Sequence, residues 1–266
     1  MSDIYDIVII GGGPAGLTAG IYASRARMKT LLVEKMVCGG QVLVTDRIEN
    51  FPGFPDGIKG PDLADWMHNQ AKRFGLEVKT AEAKKIAPKM SEKEPFLIEL
   101  SGGGAFKASA VIIATGAKWN LLKVPGEKEL SGRGVSYCAT CDGPLFRGKD
   151  IVVVGGGDTA LEDAIFLTKF ANKVTIVHRR DKLRATKILQ ERALANKKIE
   201  MCLGSVCTEI IGKSKVEGIK VKSVRTDEEK LIKTDGVFVL IGLLPNSEIV
   251  KGLVDMCEKG YIKSDD

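Results

Sequence analysis

The sequence predicts an α/β protein with two Rossmann-like dinucleotide-binding domains, each holding a central parallel sheet, helices and a small antiparallel meander. Two observations carry that prediction. An apolar run, a Gly-rich turn and a helical stretch follow one another from Ile7 to Arg27, and the same succession returns from Asp150 to Phe170. Each copy is followed by a second short apolar run and then by alternating residues punctuated with glycine. Length agrees, because 266 residues with 44% apolar side chains can form about two domains with separate cores.

Ile7-Val8-Ile9-Ile10 is continuously apolar, as expected of a parallel strand buried on both faces. It runs into Gly11-Gly12-Gly13-Pro14-Ala15-Gly16, and Leu17 to Arg27 reads as a helix. Glycines at 11, 13 and 16 allow a tight turn and close backbone approach to a pyrophosphate. The helix N-terminus, entered through Pro14 and Ala15, supplies N–H donors and positive potential. Thr30-Leu31-Leu32-Val33 reads as the second strand and ends at Glu34, eighteen residues beyond Gly16. A carboxylate there can bind the hydroxyls of an adenosine ribose. Taken singly, the turn could be empty and the acid merely solvated; together they point to a nucleotide site.

Gly60-Pro61-Asp62 starts a helix running to about Phe74, with Leu63, Trp66, Met67, Gln70 and Phe74 at helical spacing. Trp66 and Met67 are expected in the core. Lys84 to Lys107 reads as a small antiparallel meander, with Phe96 to Leu100 its clearest strand and Gly102-Gly103-Gly104 a turn. Val111-Ile112-Ile113-Ala114 is the buried strand that returns to the nucleotide, and Thr115-Gly116 is its tight exit. Residues near 117–121 and 242–246 read as the two crossings between domains.

In the second copy, Asp150 to Val154 is a strand, Gly155-Gly156-Gly157-Asp158-Thr159-Ala160 the turn, and Leu161 to Phe170 the helix. Val174-Thr175-Ile176-Val177 follows, and here the strand ends in His178-Arg179-Arg180, with Arg184 four residues further on. A carboxylate at this position would repel a 2′-phosphate, whereas guanidinium groups bind it bidentately. The site therefore reads as one for NADPH rather than NADH. A solvated basic loop is the plainer alternative, and a His at a strand end is more often a packing residue. Lys187 to Ala195 is expected to be helical and 205–234 a second meander, with Arg225 to Lys230 its solvated hairpin tip.

Ahead of that second strand lies Cys138-Ala139-Thr140-Cys141-Asp142. Two cysteines three apart can close a small disulfide ring, supply half a zinc site, or be inert thiols. Zinc normally needs a second ligand pair, yet Cys202, Cys207 and Cys257 lack that spacing and the only histidines are His68 and His178. No metal site is expected. Redox exchange needs one thiol poised as thiolate and a proton donor nearby, for which Asp142 is a candidate general acid. Cys38 adjoins Gly39-Gly40 in a loop expected near a cofactor; the other cysteines read as buried small apolar residues.

Composition narrows the setting. No apolar run approaches the ~20 residues needed to span a bilayer, and Met1 to Asp6 has no basic segment of a signal peptide. Six cysteines without an export signal suit a reducing, cytoplasmic compartment. The formal charge of +6 is spread along the chain, which could help attract an acidic protein partner but does not argue for nucleic acid.

The assembly of motifs resembles the low-molecular-weight thioredoxin reductases, flavoproteins with two dinucleotide folds. The match rests on Gly11-x-Gly13-x-x-Gly16, Gly39-Gly40-Gln41, Glu49-Asn50-Phe51-Pro52-Gly53, Ala114-Thr115-Gly116-Ala117, Cys138 to Gly143, Gly155 to Ala160, His178-Arg179-Arg180 and Ile241-Gly242-x-x-Pro245-Asn246. The resemblance implies FAD in a domain formed by 1–117 and completed by 245–266, with Gly40, Gln41, Asn50 and Ala114-Thr115-Gly116 around it. It implies NADPH in a domain of 118–244 that carries the dithiol and swings between flavin and nicotinamide poses. Cys141 would face the flavin, Cys138 would attack the partner disulfide, and Asp142 would handle the proton. Thioredoxin or a thioredoxin-like protein would be the partner, and the enzyme a homodimer. The family pattern continues past Gly260-Tyr261-Ile262-Lys263 into an Ala-Gly-Asp stretch that completes the FAD site, so a chain ending at Asp266 is expected to hold FAD poorly. That departure leaves a rival reading, a non-catalytic NADPH-binding or redox-sensing protein. Related peroxiredoxin-reducing flavoproteins carry an extra N-terminal thioredoxin-like region, and ferredoxin–NADP reductases of this fold lack the thiol pair.

Overall fold

A computed structural model describes residues 4–89, 91 and 94–264. The chain forms two compact units, Met1–Lys118 with Leu244–Asp266, and Trp119–Leu243.

In the first unit, β1 (Ile4–Ile10) leads through the glycine turn into α1 (Pro14–Arg25), and β2 (Thr30–Glu34) follows. The helix begins at Pro14, earlier than the predicted Leu17, because proline at the first helical position loses no hydrogen bond and already has the right φ. Next come α2 (Gly60–Arg73), β3 (Glu77–Thr80), β4 (Ala83–Ala87), β5 (Phe96–Leu100) and β6 (Ala105–Ile113). They build one six-stranded sheet in the order β3-β2-β1-β6-β5-β4. The predicted meander and returning strand are therefore not separate. β6 pairs antiparallel with β5, Phe96 opposite Ala108, and parallel with β1, Val8 opposite Val111.

Leu17 and Ile21 of α1 meet Leu63, Met67 and Ala71 of α2 over Ile9 and Leu32. Met67 is buried as expected, but Trp66 is 59% exposed. Leu63, Met67 and Ala71 recur at i, i+4 and i+8 and take the core-facing line, which leaves Trp66 at its edge, against the Phe54 ring with centroids 5.7 Å apart. On the other sheet face Val8, Ile10, Leu31 and Val33 pack with Ile86, Ile98 and Val250.

The chain passes between units through β7 (Ala117–Trp119), and its return strand pairs with β7. Within the second unit β8 (Val135–Ser136) precedes a four-residue turn of helix, α3 (Ala139–Asp142), and β9 (Asp150–Val154). Then follow α4 (Asp158–Leu167), β10 (Lys173–His178), α5 (Lys187–Ala195) and β11 (Ile199–Leu203). The meander is β12 (Ser205–Ile211), β13 (Gly218–Ser223) and β14 (Glu229–Lys233), after which β15 (Gly236–Val239) re-enters and β16 (Leu243–Pro245) is the return strand.

The central sheet is parallel, in the order β11-β10-β9-β15-β8, and the meander is a sheet of its own. One face buries Val153, Ile176 and Phe238 under Leu161, Ala164 and Leu167 of α4 and Leu189 of α5. The other buries Val152, Val154 and Val177 under Ile219 and Val221 of β13. Of the single cysteines Cys207 is buried as expected, whereas Cys202 and Cys257 are partly exposed, against the expectation of buried thiols; Cys38, set apart from them, is also partly exposed. Among the described residues no helix is long and apolar enough to cross a membrane.

Candidate functional site

The two glycine turns solve the same steric problem. Gly11 has a φ of 109°, and a Cβ on it would lie 2.2 Å from the Ala114 carbonyl oxygen. A Cβ on Gly16 would lie 1.9 Å from the Gly11 carbonyl oxygen, so this position too requires glycine. Gly13 differs: a side chain there would meet nothing nearer than the Gly40 Cα, at 3.9 Å. The backbone at the start of α1, through Pro14 and Ala15, is thus bare where a phosphate group would approach the helix N-terminus.

Glu34 stands at the end of β2, and its carboxylate accepts from Gly12 N–H at 2.7 Å and Met36 N–H at 3.0 Å. Cys38 lies beside both Gly12 and Glu34; burial, then the Glu34 charge, raise its thiol pKa. Gly40 and Gln41 form an exposed turn, and Gln41 Nε2 donates to the Ala117 carbonyl at 2.9 Å. Ala114 N–H donates to the Ile10 carbonyl at 2.8 Å. Asn246 clamps the exit beyond it: its Nδ2 donates to the Thr115 carbonyl at 3.0 Å, and its N–H to the Gly116 carbonyl at 2.9 Å. Asn50 lies apart from these, on the exposed loop 49–55 that lines an open pocket.

In the second unit a Cβ on Gly155 would sit 2.3 Å from the Leu240 carbonyl oxygen, whereas one on Gly157 would meet nothing within 4 Å. The open glycine again precedes a helix N-terminus, formed here by Asp158, Thr159 and Ala160. Asp158 Oδ1 accepts from Thr186 N–H at 2.6 Å and so ties the turn to the loop before α5. His178 is buried beneath the turn, where a Cβ on Gly156 would strike its ring at 2.4 Å. Burial, then Arg179 and Arg180, lower its pKa and favour the neutral ring. Arg179, Arg180 and Arg184 are exposed at the strand end, and Arg184 N–H holds the Gly156 carbonyl at 2.7 Å. Arg225, on the hairpin tip expected to be simply solvated, instead pairs with Asp181 beside this cluster.

Cys138 and Cys141 are joined in a disulfide with Cα atoms 5.4 Å apart. Cys138 caps α3, and its Sγ accepts from Cys141 N–H at 3.2 Å. Cys141 is exposed and Cys138 half-buried. Asp142 closes the turn, and Ser136 Oγ donates to its Oδ2 at 2.6 Å while accepting from Cys138 N–H at 3.1 Å. The hydroxyl thus links the proposed acid to the backbone of the first sulfur.

Two carboxyl groups around the dithiol escaped sequence reasoning. Glu127, 4% exposed, accepts from Leu122 N–H at 2.9 Å, Lys123 N–H at 2.6 Å and the Tyr137 hydroxyl at 3.1 Å. Burial, then Glu127, push the Tyr137 phenol up to about 12. Asp163, on α4, accepts from Ala139 N–H, the first of α3; burial, then Glu162, push its carboxyl up to about 7. Its signal was legible, since Asp163 shares helical spacing with the buried Ala160 and Leu167. Glu127 had none, being one acid in an irregular segment.

Residues 5–266 match the family model described as pyridine nucleotide-disulphide oxidoreductase. The thioredoxin reductase of Bacillus subtilis is 48% identical over 264 residues, which cover 99% of this chain and 82% of that protein. The crystal structure of Lactococcus lactis thioredoxin reductase in its FR conformation superimposes with a TM-score of 0.95 at 44% identity, covering 98% of this chain and 85% of the other. That of T. acidophilum thioredoxin reductase gives 0.91 at 36% identity, covering 97% and 84%. A chain with parallel strands, paired glycine turns and a Cys-x-x-Cys disulfide thus matches one family over nearly its whole length: it belongs to the pyridine nucleotide-disulphide oxidoreductases, among the thioredoxin reductases.

Proposed function

We propose that this protein reduces the disulfide of thioredoxin or a thioredoxin-like protein, with electrons passing from NADPH through FAD to Cys138 and Cys141. The observation that carries the reading is the intact Cys138–Cys141 disulfide on a turn that also presents Asp142. It favours a catalyst over a non-catalytic nucleotide sensor. Thioredoxin reductases of this family use FAD and NADPH, which together supply hydride transfer and two-electron reduction of the disulfide.

The residues present suit both groups. In the unit read as the FAD domain, Gly11 and Gly16 allow a turn too tight for any side chain, and Gly13 leaves the approach to the helix N-terminus open. Glu34 would hold ribose hydroxyls, and Gly40, Gln41, Asn50 and Ala114–Gly116 would line the remainder. In the unit read as the NADPH domain, Gly155, Gly157 and the start of α4 would take the pyrophosphate. Arg179, Arg180 and Arg184 would take the 2′-phosphate, with His178 supporting the turn from below. Cys141 would receive electrons, Cys138 would attack the partner's disulfide, and Asp142 would move a proton at the sulfur it adjoins. A cytoplasmic homodimer accords with this reading.

The test is NADPH-dependent reduction of a thioredoxin disulfide by the flavin-loaded protein. Turnover that depends on both flavin and partner supports the proposal; NADPH oxidation without any loss of partner disulfide refutes it.

A further inference from the structure

We propose that Asp163 is a positioning residue for the dithiol, its carboxyl holding the backbone N–H that opens the turn carrying Cys141 and Asp142. This rests on the reading of Cys138 and Cys141 as the redox pair.

A four-residue helix cannot hold itself, because one turn fixes several residues for a single hydrogen bond. Its leading N–H groups also need acceptors from outside the helix. For α3 three of the four N–H groups have identified acceptors. Asp142 N–H goes to the Cys138 carbonyl at 3.2 Å and Cys141 N–H to Cys138 Sγ at 3.2 Å. Ala139 N–H goes to Asp163. The first two are internal to the Cys138–Asp142 segment. The third fastens that segment to α4, a long helix anchored in the core.

Packing fixes the same contact. Ala139 is 1% exposed within the core formed by Ala160, Ala164 and Leu167, and a Cβ on Gly143 would lie 3.1 Å from Leu167 Cδ2. The turn is pressed onto the α4 face on which Asp163 stands. An acid on an apolar face is costly without an opposite charge. The charge that acts on Asp163 is Glu162, one residue back, and it is repulsive. What α3 offers Asp163 is the Ala139 N–H, while the acid of that turn, Asp142, is engaged by Ser136. From α5 the packing residues are Leu189 and Ala193, and from β9 and β10 they are Val153 and Ile176.

The disulfide itself closes the turn covalently in the oxidised protein. Once the S–S bond opens on two-electron reduction, the covalent closure is gone and α3 is held by hydrogen bonds and by the packing of Ala139. Ala139–Asp163 then matters most in the state that attacks the partner. The charged carboxylate is the stronger acceptor, and with a pKa of about 7 it is lost as pH falls through neutrality.

The test uses flavin-loaded enzyme with NADPH and a thioredoxin disulfide, in wild type, Asp163→Ala and Asp163→Asn, from pH 5.5 to 9. Asp163→Ala should slow disulfide turnover roughly 10–100-fold above neutrality, the factor one charge-assisted hydrogen bond supplies, with flavin reduction by NADPH unchanged. Asp163→Asn keeps a neutral acceptor of the same shape, so it should recover most of that loss and flatten the wild-type inflection near pH 7. Wild-type turnover in Asp163→Ala, or equal impairment of both variants, overturns the proposal. So does an unchanged pH profile in Asp163→Asn, which holds even if Asp163→Ala fails to fold. A wild type inactive on the partner would instead sink the underlying reading.

Discussion

Removing the guanidinium groups of Arg179 and Arg180 together is the sharpest test of cofactor choice. Both side chains are exposed where β10 ends, and Arg184 stands beside them. A hydrogen bond to a charged group is worth about 1.5–3 kcal/mol, and exposure to solvent argues for the lower end. Two contacts at about 1.5 kcal/mol each give about 3 kcal/mol, or roughly 10²-fold in affinity. Arg179→Ala/Arg180→Ala should therefore weaken NADPH by about 10²-fold and leave NADH nearly unchanged, because only NADPH carries the 2′-phosphate. The wild-type preference should also shrink as salt rises, since exposed charges are screened over about 8 Å at physiological ionic strength. Dissociation constants for both nucleotides, measured at low and high salt, decide the matter. Equal losses for NADPH and NADH would show that these arginines do not read the phosphate.

Cys138→Ser and Cys141→Ser should each abolish reduction of a thioredoxin disulfide, because exchange needs both sulfurs, while stopped-flow reduction of bound flavin by NADPH survives; normal turnover in either would remove the dithiol from the mechanism. Asp142→Asn preserves shape and removes the proton, so thiol-linked steps should slow by roughly 10²–10⁴-fold with the hydride step intact. Asp163→Asn should also alter stability in a pH-dependent way. The folded protein binds the Asp163 proton more tightly than the unfolded chain does, with a pKa of about 7 against 3.8. Wild-type stability therefore falls as pH rises between those values, by at most about 1.4 kcal/mol per pH unit. The melting-temperature advantage of Asp163→Asn should grow across that window and level off above it; a constant offset would contradict the raised pKa.

What the sequence made legible was whatever local pattern determines. Ile7–Ile10 and Asp150–Val154 had to be buried strands, and each ran into a glycine turn and a helix that the structure contains. The two meanders were equally visible, yet their attachment was not. That Ala105–Ile113 serves two partners depends on pairing across some ninety residues, which periodicity cannot express. Val135–Ser136 is too short to carry a pattern, and in Ile199–Leu203 the apolar run is broken by Glu200. Trp66 was placed in the core from spacing alone, although the neighbouring line of Leu63, Met67 and Ala71 had already filled it. Around the dithiol, Cys138, Cys141 and Asp142 were evident as a motif. Their supports, Ser136, Glu127 and Asp163, come from a strand, an irregular segment and a helix, and meet only in three dimensions.

The first unit is discontinuous, and this has a consequence for synthesis. Trp119–Leu243 is one uninterrupted stretch whose ends already meet, Asn120 N–H donating to the Gly242 carbonyl at 3.0 Å. Among the described residues no strand outside that stretch joins its sheet, so it can finish folding as soon as it clears the ribosome. The first unit must wait, because Asn246 and Val250, which clamp Thr115 and fill the core beside Val8, are made only after the insert. A nascent chain therefore spends an interval with a complete insert and a half-closed host. The short span between residues 120 and 242 keeps the entropic penalty of that final closure independent of the insert's length. Protease resistance should accordingly appear in the inserted stretch before it appears in residues 4–118, and simultaneous protection of both would indicate that the host does not wait.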